Sequence, residues 1–197
     1  MSRFEWQNRE TIYREVRPSH DADELRWILN RETIHDNATG VTTTRGTIRH
    51  PGVCVIVPFL DRARILLIRQ YRYAAGKELW ELPAGTMKGR IENGRMSPAE
   101  APEDCARREL LEETGYEADS LRQVCQCYAI PGTSDELMRI FFAENLTKRQ
   151  QSLDAGEVIE EVKPFSLTEI SGLIEKAAIH DAKTLVGLFY ALRSSTA

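Results

Sequence analysis

The stretch SPAEAPEDCARRELLEETGY, residues 97–116, decides how this chain is read. Ser97 before Pro98, with Glu100 three residues past the hydroxyl, has the form of a capping box with proline at the first helical position. The pattern predicts a helix that starts at Pro98 and runs to Gly115, whose tolerance of positive φ suits the position just past a helix end.

On such a helix Glu109, Glu112 and Glu113 stand at i, i+3 and i+4, so three carboxylates share one face. If that face is solvated, each like-charge pair costs only about 0.2–0.5 kcal/mol and the cluster has no special meaning. If it is partly buried, at an effective dielectric near 20 the same pair repels by about 3 kcal/mol. A bound cation then keeps the acids ionised, and all-oxygen donors select Mg²⁺ or Mn²⁺.

Outward from the helix, GVCVIVPFL (52–60) and ARILLIRQYR (63–72) are rich in branched apolar residues and separated by Asp61-Arg62, as expected of two buried strands. ELWELPAG (78–85) reads as a short strand closed by Pro83 and Gly85, and the polar residues 86–96 as a loop. LRQVCQCYAI (121–130) and ELMRIFFAENL (136–146) read as strands around the loop PGTSD, and EVIEEVKPFSL (157–167) as another. Helical patterns occupy 167–177 and 181–193. In the second, Asp181 is placed as a cap, and Leu185, Leu188, Phe189 and Leu192 share one face. Before this core, TIYREV (11–16), ELRWIL (24–29) and VTTTRGTI (41–48) read as antiparallel strands of an N-terminal β extension. The expected fold class is α/β, an α/β/α sandwich with a mixed sheet, divided into an extension over 1–50 and a catalytic domain over 51–197.

Composition narrows the function. The net charge of −4 makes no general field for a phosphate backbone, which argues against nucleic acid as the partner. No run of 18 apolar residues exists and the first residues lack a signal-peptide core, so no membrane is expected and the chain reads as cytoplasmic. Cys54, Cys105, Cys125 and Cys127 form no CxxC pair; Cys125-x-Cys127 suits a strand better than a zinc knuckle, so reduced structural thiols are expected.

The spacing Glu100, seven residues, Arg108-Glu109-Leu110-x-Glu112-Glu113-x-Gly115-Tyr116 resembles the signature of the Nudix hydrolases, Gx5Ex7REUxEExGU with U a bulky apolar residue. Chance occurrence is on the order of one in a million at average residue frequencies. In the family the glycine usually closes the strand before the loop. Here Gly85 is followed by 14 residues before Glu100, whereas Gly94 meets the literal spacing but sits inside the polar segment. Gly85 is the preferred counterpart and the loop is enlarged. RQYR (69–72), ELWELPAG, PGTSDE (131–136) and the tail segment 179–192 further resemble the ADP-ribose pyrophosphatase branch.

The resemblance implies that Glu109 and Glu113 are the main metal ligands, Glu112 a ligand or proton acceptor, and the Ala84 carbonyl a further donor, with Arg108 orienting Glu112. It places the water-activating glutamate at Glu136, and Arg72, Glu81 and Gly85 against the substrate, although Arg72 and Glu81 also fit sheet-edge charges. Glu100 is either a helix cap or the first glutamate of the signature. The implied reaction is hydrolysis of ADP-ribose to AMP and ribose 5-phosphate with about two to three Mg²⁺ or Mn²⁺ ions. Rivals are another nucleotide sugar, such as ADP-glucose or GDP-mannose, and a binding module without turnover. The branch also implies a homodimer joined through the N-terminal strands.

Overall fold

A computed structural model describes residues 2–17, 24–92, 95–151 and 158–194. Gly94 and Glu157, both used in the sequence reading, lie outside the described residues. The chain divides into two compact units. One holds residues 53–85, 101–127 and 138–197, and the other 1–52, 86–100 and 128–137.

The first unit is built on a mixed sheet. Its central strands are β4 (Val53–Asp61) and β5 (Arg64–Arg72), followed by β6 (Lys77–Glu81) and the short β7 (Ala84–Thr86). After helix α1 (Pro102–Thr114) come β10 (Tyr116–Tyr128), β11 (Leu137–Lys148) and β12 (Glu161–Ser166), then α2 (Leu167–Glu175) and α3 (Ala182–Ser194). The strand order is β10-β11-β4-β5-β12, with β6 beside β5 and β7 beside β4. Strand β11 runs parallel to β4, while β12 and β6 run antiparallel to β5.

Two contacts of β4 show the layering. Cys54 donates its thiol to the Pro102 carbonyl at the start of α1. Val57, three positions on and therefore on the opposite face, borders Gly187 of α3. Helices thus cover both faces of β4, which explains why Val53 to Pro58 are all buried and why the strand reads as a continuous apolar run.

Helix α1 starts four residues later than the capping box suggests. Its N-cap is Ala101, which makes no side-chain cap bond, and Ser97 and Pro98 end strand β9 (Arg95–Pro98) instead. The reason is Pro102. A helix through Pro98 would need Ala101 in the helical region directly before a proline, which that ring disfavours. Starting at Pro102 removes the conflict and leaves Glu103 and Asp104 in the first turn, where they complement the helix dipole. At the other end Gly115 adopts φ 72° and donates to the Leu111 carbonyl, as expected.

In α3, Asp181 does cap, accepting from the Thr184 amide at 3.0 Å and its hydroxyl at 2.5 Å. The buried face, however, is Thr184, Gly187, Leu188 and Ala191, while Leu185 and Phe189 are exposed. Gly187 sets this rotation, because a Cβ there would lie 2.4 Å from Leu82 Cδ1 and 3.2 Å from Val57 Cγ2.

The second unit is an antiparallel sheet of β1 (Phe4–Arg17), β2 (Glu24–Asp36), β3 (Val41–Arg49), β8 (Gly89–Glu92) and β9. The first three strands match expectation but are longer. The segment expected to be a loop over 86–96 carries the hairpin β8–β9, with Gly89 opposite Pro98 and Arg90 opposite Ser97. Gly89 also pairs with Leu25 of β2. A Cβ on Gly89 would lie 2.7 Å from the Leu25 carbonyl oxygen, so only glycine allows this approach. Glu100, which does not form the capping box, closes the base of the hairpin by accepting from the Lys88 amide at 2.6 Å.

Candidate active site

The acidic face of α1 is turned inward. Glu109 and Glu113 are 2% and 4% exposed, which excludes the solvated-face reading for these two. Arg108 lies beside them and donates to Glu109 Oε1 at 2.6 Å and Glu112 Oε2 at 3.0 Å. Glu113 Oε2 accepts from the Ala84 amide at 2.8 Å, so the start of β7 is joined to the last turn of α1. Gly85 follows directly. A Cβ on it would fall 1.7 Å from the Glu109 carboxyl carbon, so this glycine is required by the close approach of an acid.

Arg72 and Glu81, far apart in character as sequence positions, form a bidentate pair across β5 and β6 at 2.8 and 2.7 Å. Glu81 is 1% exposed, and it is also bonded by Lys183 from the first turn of α3. Lys183 in turn bonds Asp181 at 3.0 Å. Burial alone would raise the Glu81 carboxyl, but the hydrogen bond from Arg72 and the charge of Lys183 outweigh it and hold it below the ordinary range. Glu81 raises the Arg72 guanidinium by hydrogen bonding, and the charges of Glu113 and Asp181 act in the same sense. Arg72 is therefore electrostatically coupled to α1 as well as to α3.

One unit thus brings together Arg72, Glu81, Ala84, Gly85, Arg108, Glu109, Glu112 and Glu113. Lys183 joins them although sequence reasoning missed it; its partner Glu81 is 102 residues away, and no local spacing signals such a pair. Glu136 belongs to the other unit, where its amide donates to Ser134 Oγ at 3.1 Å and its carbonyl accepts from the Ala129 amide at 3.0 Å. Among the described residues no three His, Cys, Asp or Glu side chains converge as a ready metal cage. The donor chemistry nevertheless fits a hard cation. It offers buried anionic oxygens on consecutive turns of α1, facing Gly85, which has no Cβ in the way and stands mid-strand in β7 instead of closing the strand as expected.

These features define an α/β-sandwich fold whose candidate site is an acidic helix set against a short strand centred on glycine. Residues 48–186 match the family model described as the NUDIX domain. The chain is 33% identical over 153 residues to an ADP-ribose pyrophosphatase of Bacillus subtilis (strain 168), covering 77% of each chain. It is 34% identical over 172 residues to a GDP-mannose pyrophosphatase of Yersinia enterocolitica, covering 81% of this chain and 83% of that one. The crystal structure of an ADP compounds hydrolase superposes with a TM-score of 0.73 over 98% of this chain and 94% of that one, at 21% identity, a likeness of fold. This chain belongs to the Nudix hydrolase superfamily, in its ADP-ribose and nucleoside diphosphate sugar pyrophosphatase branch, and is a Nudix-fold hydrolase.

Proposed function

We propose that the protein hydrolyses the diphosphate linkage of nucleoside diphosphate sugars. The observation that carries this reading is the burial of Glu109 and Glu113 against Ala84 and Gly85. Two crowded, desolvated carboxylates are costly in a fold unless positive charge compensates them; Arg108 supplies part of it but is shared between Glu109 and Glu112, and a divalent cation would supply the rest. The class is wider than the ADP-ribose expectation, because relatives of nearly equal identity are an ADP-ribose and a GDP-mannose pyrophosphatase. ADP-ribose, GDP-mannose and ADP-glucose all carry the bond in question.

Glu109, Glu113 and the Ala84 carbonyl would hold Mg²⁺ or Mn²⁺, with Glu112 as a further ligand or proton acceptor. When bound, such ions neutralise the diphosphate oxygens and make water a better nucleophile. Arg108 keeps Glu112 in place through the bond at 3.0 Å. Glu136 accepts the proton of the attacking water. Arg72, held by Glu81 and through it by Lys183, presents a fixed guanidinium to the anionic substrate.

The N-terminal sheet serves as a dimerisation arm in this reading. Phe4, Trp6, Ile12, Tyr13 and Val41 are exposed on it, and large apolar side chains left in water are what an interface buries. Light scattering on the purified protein is expected to give a dimer mass, and a monomer mass at working concentration removes the arm from the proposal.

The deciding experiment is product analysis with Mg²⁺ or Mn²⁺ against ADP-ribose, GDP-mannose, ADP-glucose, NADH and capped RNA. A nucleoside monophosphate and a sugar phosphate released from one of the nucleotide sugars support the proposal, and the sugar turned over fastest gives the specificity. Cleavage of capped RNA alone, or saturable binding of nucleotide sugars with no product, overturns it.

A further inference from the structure

Glu32 lies mid-strand in β2 with no solvent exposure. Its carboxylate accepts from Trp6 Nε1 at 3.1 Å, from Arg9 Nε at 2.7 Å, and from Arg49 Nη2 at 2.8 and 2.7 Å. A buried ion pair gains little net stability over apolar residues of the same size, since desolvation offsets the attraction. What it does produce is a guanidinium with one orientation. Arg49 directs Nε and Nη2 to Glu32 and turns Nη1 to Asp135 Oδ2 at 3.1 Å.

Asp135 is held at its other oxygen too, where Oδ1 accepts from the His50 amide at 2.8 Å. The backbone of the same loop is stitched to the end of β3. The Ile48 amide donates to the Thr133 carbonyl at 2.9 Å and the Asp135 amide to the Ile48 carbonyl at 3.2 Å. Asp135 is the direct neighbour of Glu136, whose own amide and carbonyl are bonded within the loop.

We propose that Glu32 and Arg49 are positioning residues for catalysis: by gripping Asp135 they hold the loop backbone so that Glu136 is presented in one orientation through turnover. The inference rests on the reading of Glu136 as the proton acceptor. A cross-link that merely stabilises the sheet would use the same bonds, so the test must separate stability from positioning.

The experiment measures kcat and KM with ADP-ribose and GDP-mannose for Arg49→Lys and Asp135→Asn, each alone and in a Glu136→Gln background. Arg49→Lys keeps the charge but cannot bond Glu32 and Asp135 as a fork. Each single change is expected to lower kcat by roughly 10–100-fold, as loss of an outer hydrogen-bond partner does, with KM unchanged. Neither is expected to lower kcat further once Glu136 is Gln. Equal losses in both backgrounds, or a change confined to KM, overturn the relay while leaving Glu136 as the base. Wild-type turnover by Glu136→Gln alone overturns the base reading and the relay with it. If Arg49→Lys does not fold, Asp135→Asn carries the test, because that side chain is 39% exposed and asparagine keeps a carbonyl oxygen able to accept from the His50 amide.

Discussion

Strands β4 and β2 both run through the middle of a sheet, yet they bury different chemistry. In β4 every residue from Val53 to Pro58 is buried, and Ile65 to Ile68 of the adjacent β5 are as well. In β2 the buried residues are Ile28, Asn30 and Glu32, every second position on one face, and two of the three are polar. The first unit therefore rests on apolar burial, at about 1.5–3 kcal/mol per large side chain removed from water. The second rests on a ladder of hydrogen bonds and ion pairs. Such a ladder adds direction and specificity more than free energy, and it responds to pH as the apolar core does not.

The largest expected effect tests the exceptions within the apolar unit, its buried acids. If Glu113 is kept for chemistry, Glu113→Gln loses more turnover than the roughly 10–100-fold that an outer partner costs, while thermal unfolding stays close to wild type. Steady-state kinetics and a melting curve decide this, and unchanged turnover removes Glu113 from the metal-holding set.

Next in size is the apolar core. Leu67 is fully buried in β5, and Leu67→Ala should destabilise the unit by about 2–5 kcal/mol through lost transfer energy and the cavity left behind. Urea titration reads this directly. A loss below 1 kcal/mol would mean that β5 does not carry the core, and would weaken the contrast with β2.

The polar unit should answer to acid instead. Burial would raise the Glu32 carboxyl, but hydrogen bonds from Arg49 and Trp6, the charge of Arg49 and the bond from Arg9 together lower it from 4.5 to about 2. Because the folded value is depressed, the stabilisation is complete above about pH 4.5 and is lost as pH falls towards 2. Circular dichroism of wild type should show a loss of strand signal in that window that Glu32→Gln lacks. Identical acid profiles would dismiss the ladder as a stabilising element. The smallest effect belongs to the exposed face of the same sheet, where Ile12→Ser in the monomer should change stability by no more than about 0.5 kcal/mol.

The order of elements, the apolar strands β4 and β5, and the acidic face of α1 were legible in the sequence because each is written in a local period. Branched apolar runs mark buried strands, and carboxylates at i, i+3 and i+4 must share a helix face whatever surrounds them. The helix start was misplaced because Ser97-Pro98 and Ala101-Pro102 both carry a start signal, and only strand pairing of Pro98 with Gly89 assigns the first to a hairpin. That hairpin had its own cue in Asn93-Gly94, a pair that favours tight β turns, although those two residues lie outside the described ones.

What the sequence by itself determined is the family, the acidic helix and the apolar core. Only the tertiary structure decided which acids are buried and which cations hold them. Glu81 meets Lys183 across 102 positions, and Arg49 meets Asp135 across 86. Hydrogen bonds and ion pairs depend on distance in space, so a charged residue's partner stays undefined until packing brings distant segments together.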